Sequence, residues 1–304
     1  MSYDKNYLEW SDNPISYWDR KSKNITWIKP YKKTLHKTAD YYEWFYQGQL
    51  NTCYNCLDKH IENGRGDKVA IFYDSPITNT KKKITYNELL SQVSSLAASL
   101  NNIGVGKGDR VVLYLPMIPE VIISMLACAR IGAVHSVVFG GFAAEELASR
   151  ISDVTPKVII SASCGLEPKK IINYKEILNQ ALTLSSHKPL KQIIYQRQQH
   201  ICKLNMKNDV SWNKFIDLSS TIKCVPVDSN DPLYILHTSG TTGIPKGIIR
   251  TNGGHAVSLL NSMKMTYDIS QNDVFWAASD VGWVVGHSYI VYAPLLLGCS
   301  TVLY

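Results

Sequence analysis

The stretch Tyr234-Ile-Leu-His-Thr-Ser-Gly-Thr-Thr-Gly-Ile-Pro-Lys-Gly247 joins a short apolar strand to a loop of hydroxyls and glycines. Residues 233–236 predict a buried strand. The glycines that follow allow positive φ values and bring backbone N–H groups close to a bound anion. One lysine adds a positive charge, so the loop suits a polyphosphate, although its spacing is not that of a Walker A loop. A solvent-exposed turn is the alternative. The residues predicted to bind phosphate are Thr238, Ser239, Gly240, Thr241, Thr242, Gly243 and Lys246.

The composition is that of a globular protein. Of the 304 residues, 45% are hydrophobic and 19% are charged, which excludes a disordered chain. The net charge of +7 suits anionic partners such as nucleotides, CoA or nucleic acid. The only tight basic run is Lys81-Lys82-Lys83, and no basic stripe with interleaved aromatics is present. We therefore predict no nucleic-acid partner, and keep a basic nucleic-acid-binding protein as an alternative.

The cysteines and the first residues bear on metal binding and location. The seven cysteines include Cys53-Tyr-Asn-Cys56, with His60 close behind, but no second Cys-x2-Cys pair. We predict no metal site and two half-buried cysteines on one helix. The amino-terminal residues resemble neither a secretory signal nor a mitochondrial presequence, so we expect a cytoplasmic protein. The apolar stretch 281–298 contains His287 and Pro294, which favours buried core over a membrane span.

Strand and helix patterns alternate through the middle of the chain. Thr85 and Glu88 form a predicted capping box at the start of one helix. Alternation of this kind predicts an α/β fold with parallel-sheet layers and helices on both faces. The predicted strands are 69–73, 110–115, 134–139, 157–162, 191–195, 233–236, 274–276 and 301–304. The predicted helices are 55–62, 85–100, 119–131, 143–151, 252–264 and 286–297.

Two other regions lack a regular pattern. Residues 1 to about 50 are rich in tryptophan and tyrosine, and we predict an arm with short helices that packs across the main body. A partner surface is the alternative use of these aromatics. Residues 196–224 are polar and irregular, and predict a surface excursion.

The loop from Thr238 to Gly247 resembles the phosphate loop of the adenylate-forming superfamily. The continuation Ile248-Ile-Arg-Thr-Asn-Gly-Gly-His-Ala-Val257 resembles short-chain acyl-CoA synthetases, and propionyl-CoA synthetases more than acetyl-CoA synthetases. The resemblance implies an aromatic-rich amino-terminal extension (1–62) and an incomplete AMP-binding domain (63–304). It also implies that the carboxy-terminal lid domain is absent. The apolar strand at 301–304 is an unusual end for a domain, so we expect a truncated chain.

Two further segments resemble the parts of these enzymes that contact CoA. Gly140-Gly-Phe-Ala-Ala-Glu-Glu-Leu-Ala-Ser-Arg150 is similar to a segment that these enzymes place beside CoA, although a tight strand-to-helix turn also explains the glycines. In the loop 161–170, Lys170 stands where an arginine of the acetyl enzymes contacts CoA phosphate, and Glu167 replaces the other arginine. Lysine keeps the charge but loses the planar fork. The implied CoA-binding residues are Gly140, Gly141, Lys169 and Lys170.

The stretch Ser279-Asp-Val-Gly-Trp-Val-Val-Gly-His-Ser288 resembles the segment that lines the acyl pocket. The resemblance assigns Trp283, Val284 and Val285 to that pocket, whereas a tryptophan in the core is the alternative. Acetyl-CoA synthetases have threonine at the position of Val285, so the wall here is more apolar and suits one more methylene. We predict that His287 is a hydrogen-bonded structural residue and not a catalytic base.

The resemblance implies a ligase that joins a short carboxylate, propionate with acetate also accepted, to CoA through acyl-AMP. ATP, Mg²⁺ and CoA are the implied cofactors, and Lys246 is the candidate catalytic residue. The missing adenine-binding and lid segments predict that this chain alone does not complete the reaction. A non-catalytic remnant, or one half of a split enzyme whose second half is encoded separately, is the alternative. We expect small-molecule substrates and no membrane partner.

Overall fold

The computed structural model describes residues 3–238 and 245–304. Two parallel-containing sheets, with helices packed against them, form the body of the protein. The strands of the described residues are β1 (Lys33–Lys37), β2 (Tyr42–Tyr46), β3 (Gln49–Leu50), β4 (Val69–Ser75), β5 (Thr80–Thr85), β6 (Arg110–Tyr114), β7 (Val134–Val137), β8 (Val158–Ala162), β9 (Gly165–Glu167), β10 (Lys170–Ile172), β11 (Lys191–Tyr195), β12 (Asp209–Ser211), β13 (Val227–Asp228), β14 (Pro232–Thr238), β15 (Lys246–Thr251), β16 (Val274–Phe275) and β17 (Ser300–Leu303).

The α-helices are shorter in the amino-terminal part than in the middle of the chain. They are α1 (Tyr3–Asp12), α2 (Pro14–Ser22), α3 (Thr52–Cys56), α4 (Asp58–His60), α5 (Tyr86–Asn102), α6 (Pro119–Arg130), α7 (Ala144–Val154), α8 (Tyr174–Leu184), α9 (Trp212–Phe215), α10 (Asn252–Met265), α11 (Val284–Gly286) and α12 (Ala293–Leu297). A π-helical turn at His287–Tyr292 continues α11, and a 3-10 turn spans Pro76–Thr78. After α4 the backbone leaves helical geometry at Asn63 and Gly64, where the sequence predicted the helix to stop.

The larger sheet has seven strands in the order β12-β11-β8-β6-β7-β14-β15. All neighbouring pairs are parallel except β14 and β15, which are antiparallel. Strands β6, β7 and β8 are buried along their lengths apart from Arg110, as the largely apolar sequences of β6 and β8 predict. The predicted α/β fold with parallel layers is confirmed.

The sequence patterns did not predict two strands of this sheet, β12 and β15. The expectation of an irregular excursion over 196–224 is wrong at β12, which pairs with β11 at the sheet edge and leads into α9. Strand β15 returns directly from the phosphate loop and is exposed over most of its length. Both are edge strands, and neither shows the alternation of a half-buried strand because each lacks a partner on one side.

The smaller sheet has the order β16-β17-β4-β5. β17 runs parallel to both of its neighbours, whereas β5 forms an antiparallel hairpin with β4. Helix α5 begins at the predicted capping box, with the Thr85 hydroxyl and the Glu88 carboxylate each accepting a backbone N–H from the other residue. That box and the buried face of α5 confirm the helix prediction.

The amino-terminal region packs through its aromatic rings. Trp27, Tyr31 and Phe45 form a cluster with ring centroids 5.2 to 5.4 Å apart. The backbone oxygen of Trp44 accepts a hydrogen bond from the Ser229 hydroxyl at 2.8 Å, which ties the region to the segment before β14. Packing across the main body is therefore confirmed, and the β1–β2 hairpin is an element that the sequence pattern did not predict.

The apolar stretch 281–298 is largely buried and belongs to the core. It holds α11, a π-helical turn and α12, which correspond to the single helix predicted at 286–297. Among the described residues, no helix has both the length and the apolar character needed to cross a membrane.

A buried arginine joins the amino-terminal region to the main sheet. Arg130 donates to both carboxylate oxygens of Asp58, at 2.9 and 3.1 Å, and to the backbone oxygen of Ile222 at 2.7 Å. Cys53 and Cys224 lie beside the same guanidinium. Cys53, Asp58 and Cys224 are close enough to ligate a metal ion, but the guanidinium already places a cation among them. Cys53 and Cys56 both lie on α3, as predicted, but they are fully buried and not half-buried.

Candidate active site

The two described ends of the predicted phosphate loop belong to paired antiparallel strands. Thr238 ends β14 and Lys246 begins β15, and the two residues are cross-strand partners with exposed side chains. His237 anchors the base of the hairpin to helix α7, because its Nε2 lies 2.8 Å from an Asp153 carboxylate oxygen. The predicted ligands Ser239, Gly240, Thr241, Thr242 and Gly243 lie outside the described residues.

A cleft of about 540 Å³ opens near the carboxyl ends of β6, β7, β8 and β11. In an open parallel sheet this edge is where ligands bind. Gly140 and Gly141 line the cleft together with Glu167 and Pro168. Lys169 and Lys170 are exposed at the tip of the β9–β10 hairpin and are not part of the lining. The structure thus places Gly140 and Gly141 in the same cleft as Glu167 of the loop 161–170, whereas Lys169 and Lys170 of that loop lie outside the cleft lining.

The glycine at position 140 has a packing reason of its own. A Cβ built there would lie 1.8 Å from the Tyr174 hydroxyl, and one at Gly165 would lie 2.4 Å from the same ring. Tyr174 in turn stacks on Tyr114, with ring centroids 4.5 Å apart. Close approach of the backbone to Tyr174 therefore requires glycine at these positions, whether or not CoA binds there.

The three predicted acyl-pocket residues lie together at the start of α11. Trp283, Val284 and Val285 are 48%, 44% and 46% exposed, so the alternative of a core tryptophan is wrong. The Trp283 ring packs on Phe139, with centroids 5.6 Å apart, and Phe139 lines the cleft beside the glycines. The acyl-pocket residues and the glycine cleft are therefore neighbours.

Val284 also lines a second cavity, of about 460 Å³. Aromatic rings of the amino-terminal region, Trp18, Trp44 and Phe45, form one wall of this cavity. Arg250 and His255 supply polar groups on the opposite wall, from β15 and α10. The amino-terminal region thus contributes to a cavity next to the acyl-pocket residues.

Residues 57–304 match the family described as "AMP-binding enzyme", which is more than half of the chain. The chain belongs to the AMP-binding enzyme family. Residues 3–56 match the "Acetyl-coenzyme A synthetase N-terminus" family. The two matches meet at residues 56 and 57, and the boundary at residue 62 stays a prediction.

This AMP-binding enzyme is similar to short-chain acyl-CoA synthetases, as the sequence indicated. It is 52% identical to human "Acyl-CoA synthetase short-chain family member 3, mitochondrial", over 96% of this chain and 43% of that protein. It is 39% identical to "Acetyl-coenzyme A synthetase" of Desulfatibacillum aliphaticivorans, over 99% of this chain and 47% of that protein. The chain thus spans less than half the length of these relatives.

A solved structure has the same fold. "Acetoacetyl-CoA Synthetase from Streptomyces lividans" superimposes with a TM-score of 0.87 at 26% sequence identity, covering 97% of this chain and 45% of that one.

His287 of the AMP-binding enzyme lies in a buried cluster of histidines and tyrosines. Its Nδ1 is 3.2 Å from the Trp283 backbone oxygen, and its ring stacks with His135 and tilts against Tyr234. Burial lowers the pKa of His287 to about 4, so the ring is neutral at pH 7. This geometry supports the structural role predicted from the sequence.

Stability of the AMP-binding enzyme should fall in mild acid because its buried histidines are neutral. Burial lowers the pKa of His60 to about 4 and that of His255 to about 3. In the unfolded chain these groups titrate near 6.5, so protons bind the unfolded state first as the pH falls. The free energy of unfolding is therefore highest above pH 6.5 and should drop between about pH 6.5 and 4, by on the order of 3 kcal/mol for His60 alone.

Urea unfolding at a series of pH values tests this expectation. His60 Nε2 lies 2.7 Å from the Leu295 oxygen, and Arg65 donates to Nδ1 at 2.8 Å. His60→Gln removes the titrating group, so its unfolding free energy should fall less steeply over this range. A wild-type stability that stays flat from pH 7 to 4.5 would contradict the expectation.

Sequence reasoning missed two charged residues of the glycine cleft. Arg197 follows β11 and is 8% exposed, and Asp280 precedes α11. Burial raises the pKa of Asp280, whose Oδ1 accepts the Gly282 N–H at 2.7 Å. Asp280 lies within the quoted stretch 279–288, where it was given no role, and no motif marks Arg197. Only the position of Arg197 after a predicted strand could have drawn notice to it.

Proposed function

We propose that the chain takes part in the ATP-dependent ligation of a short carboxylate, preferably propionate, to CoA through an acyl-AMP intermediate. The carboxylate attacks the α-phosphorus of ATP and displaces pyrophosphate, and the CoA thiol then displaces AMP to form the thioester. The observation that carries this proposal is the hairpin that holds Lys246 opposite Thr238 at the phosphate loop. Because the chain covers less than half of its relatives, the complete reaction requires more than these residues.

In this proposal Lys246 and the loop hold the β- and γ-phosphates. The Lys246 ammonium supplies a positive charge that offsets the growing charge on pyrophosphate. Mg²⁺ supplies further charge neutralisation when bound, and it is held largely by phosphate oxygens and water. The exposed Thr238 hydroxyl is a fitting oxygen donor beside that ion. In the described part of the chain, no cluster of carboxylates adjoins the hairpin to hold a metal without the nucleotide.

The acyl preference rests on the wall formed by Trp283, Val284 and Val285. The Val285 side chain is apolar, which favours a substrate with one methylene more than acetate. A single methylene changes selectivity by about 1–3 kcal/mol, so acetate should also react.

Replacing Val285 should move the preference towards acetate. Val285→Thr puts a hydroxyl where a methyl group stands, so the pocket loses apolar contact with the longer chain. We expect the ratio of affinity for propionyl-AMP over acetyl-AMP to fall by about tenfold. Titration calorimetry with the two acyl adenylates measures this ratio, and Val274→Thr is the matched control because it makes the same change at an exposed valine outside the predicted pocket. An unchanged ratio in Val285→Thr would remove Val285 from the acyl pocket.

A second candidate is that this chain is one half of a split enzyme, or a non-catalytic remnant that binds nucleotide or CoA. Its support is an exposed apolar face beside the site. Trp283, Val284 and Val285 are consecutive and each is more than 40% exposed. An exposed apolar patch beside a candidate site suits a binding surface. A separately encoded second half of matching apolar character would cover it.

Two measurements on the isolated chain separate the candidates. Propionate-dependent exchange of pyrophosphate into ATP would show that the chain adenylates on its own. If exchange is absent, calorimetry with ATP, CoA and propionyl-AMP should still detect binding, which favours the half-enzyme. Absence of both exchange and binding would contradict the proposed function.

The cytoplasmic location is also a proposal, supported by the seven cysteines, which are free thiols and suit a reducing compartment. The name of the human relative places that protein in mitochondria. Cell fractionation with an antibody against the chain tests the location, and recovery in mitochondria would contradict it.

A further inference from the structure

Arg197 is a buried cation with few protein acceptors. Its backbone N–H donates to the Ser163 hydroxyl at 2.8 Å, and its Nη1 donates to the Cys164 oxygen at 3.3 Å. These bonds fix the residue behind the carboxyl ends of β8 and β11. The side chain has five N–H donors, and no close ion pair of the described residues includes it. Burial raises the pKa of Glu120, which lines one cleft together with Arg197, and the charge of Arg197 opposes that effect by lowering the pKa of the same carboxyl group. A guanidinium that is more than nine-tenths buried normally has an anionic partner.

The side chain lies where two clefts meet. It lines the 540 Å³ cleft of Gly140 and Gly141, and it also lines a neighbouring cleft of about 360 Å³. Tyr73 and Ile118 are shared by both clefts as well. Phe139, which contacts Trp283, lines the first cleft only. The path through the two clefts thus runs from the acyl-pocket residues to Arg197 and beyond it.

The second cleft is polar and rich in hydrogen-bond donors. Lys82 brings a second positive charge, and Thr78, Gln198 and Asn213 bring hydroxyl and amide groups. The carboxyl group in its lining is that of Glu120, whose pKa burial raises and to which Tyr195 hydrogen-bonds. Paired cations with neutral donors suit phosphate oxygens.

The β9–β10 hairpin places a negative charge in the first cleft, so a phosphate bound there needs a positive charge from another element. Glu167 lines the first cleft, and its carboxylate repels a phosphate, whereas Lys170 is exposed outside the lining. We propose that Arg197 binds a phosphate group of CoA, with the thiol end of CoA directed along the first cleft towards Trp283. The inference rests on the proposed function. It assigns the phosphate contact to Arg197, inside the clefts, instead of to Lys169 and Lys170 on the exposed hairpin.

Binding of CoA and of pantetheine, which lacks the phosphates, tests the assignment. Arg197→Gln should weaken CoA binding by about tenfold or more, since hydrogen bonds to charged groups contribute at this level, and should leave pantetheine binding unchanged. Arg197→Lys keeps the charge without the fork and should give a smaller loss. Lys23→Gln removes one charge from an exposed site and should change neither ligand's binding. Dephospho-CoA and inorganic pyrophosphate, measured in parallel, show which phosphate is bound and whether free phosphate competes.

The outcomes separate this inference from the proposed function. If the wild type binds CoA and Arg197→Gln binds it equally well, the Arg197 assignment alone is wrong. An equal loss of CoA and pantetheine affinity would show a structural role and would also overturn the assignment. If Arg197→Gln does not fold, undiminished CoA affinity and an undiminished CoA-over-pantetheine ratio in Arg197→Lys would do the same. If the wild type binds ATP but not CoA, both the assignment and the CoA half of the proposed function are wrong.

Discussion

Lys246→Ala should lower propionate-dependent exchange of pyrophosphate into ATP by about 100-fold, which is the usual effect of removing one charge-stabilising donor from a transition state. The reason is geometric. Lys246 begins β15 directly opposite Thr238, at one end of the predicted phosphate loop. Its side chain is exposed and contributes little to the core. The loss should therefore appear in function and not in the unfolding temperature.

Exchange is measured on the chain together with whatever partner its activity requires. If the isolated chain does not turn over, the dissociation constant of ATP replaces the exchange rate, and we expect it to rise by about tenfold or more. Lys264→Ala is the matched control, because it removes the same charge from an exposed position on α10. Exchange and ATP binding that both survive Lys246→Ala would remove the phosphate role of this residue.

Arg130→Gln should destabilise the protein by about 3–5 kcal/mol, because it leaves the Asp58 carboxylate largely buried without its partner. The side chains of Arg130 and Asp58 are 6% and 17% exposed, and the bond between them is bidentate. The same guanidinium holds the Ile222 oxygen. Loss of all these bonds should loosen the amino-terminal region from the main sheet.

Arg150→Gln is the control for burial of an arginine as such. Its side chain is also 6% exposed, but its partner Glu146 is 49% exposed and can turn to water when the arginine is removed. We expect a loss of about 1 kcal/mol or less for this pair. Urea unfolding of the two variants gives both values. Equal losses would show that the partner's burial does not decide the cost.

Local signals were the ones that the sequence predicted well. The capping box of Thr85 and Glu88 lies within four residues, and the apolar runs of β6 and β8 need no knowledge of distant contacts. The family resemblance depended on contiguous motifs, and the matches of both family descriptions confirm it. Strand β14, which precedes the predicted phosphate loop, was also predicted from its apolar run.

Long-range placement was not predictable from pattern. Nothing local distinguishes Arg197 from any other arginine after a strand. The two clefts that it lines are built from segments far apart in the chain. The need for glycine at position 140 comes from the side chain of Tyr174, which lies at the start of α8. Lys169 and Lys170 were expected near CoA, and their exposure at a hairpin tip depends on the pairing of β9 with β10.

The order in which the chain leaves the ribosome has a consequence for the smaller sheet. The larger sheet has all of its strands once residue 251 has emerged. β4, in contrast, can pair with β17 only after β17 has also been synthesised. The Ser300 hydroxyl, which donates a hydrogen bond to the Val69 oxygen, is separated from Val69 by 231 residues of sequence. At ordinary translation rates that interval is roughly 10 to 50 s. During it, one edge of the β4–β5 hairpin stays open to other chains, so nascent protein should depend on chaperones more than the finished fold does.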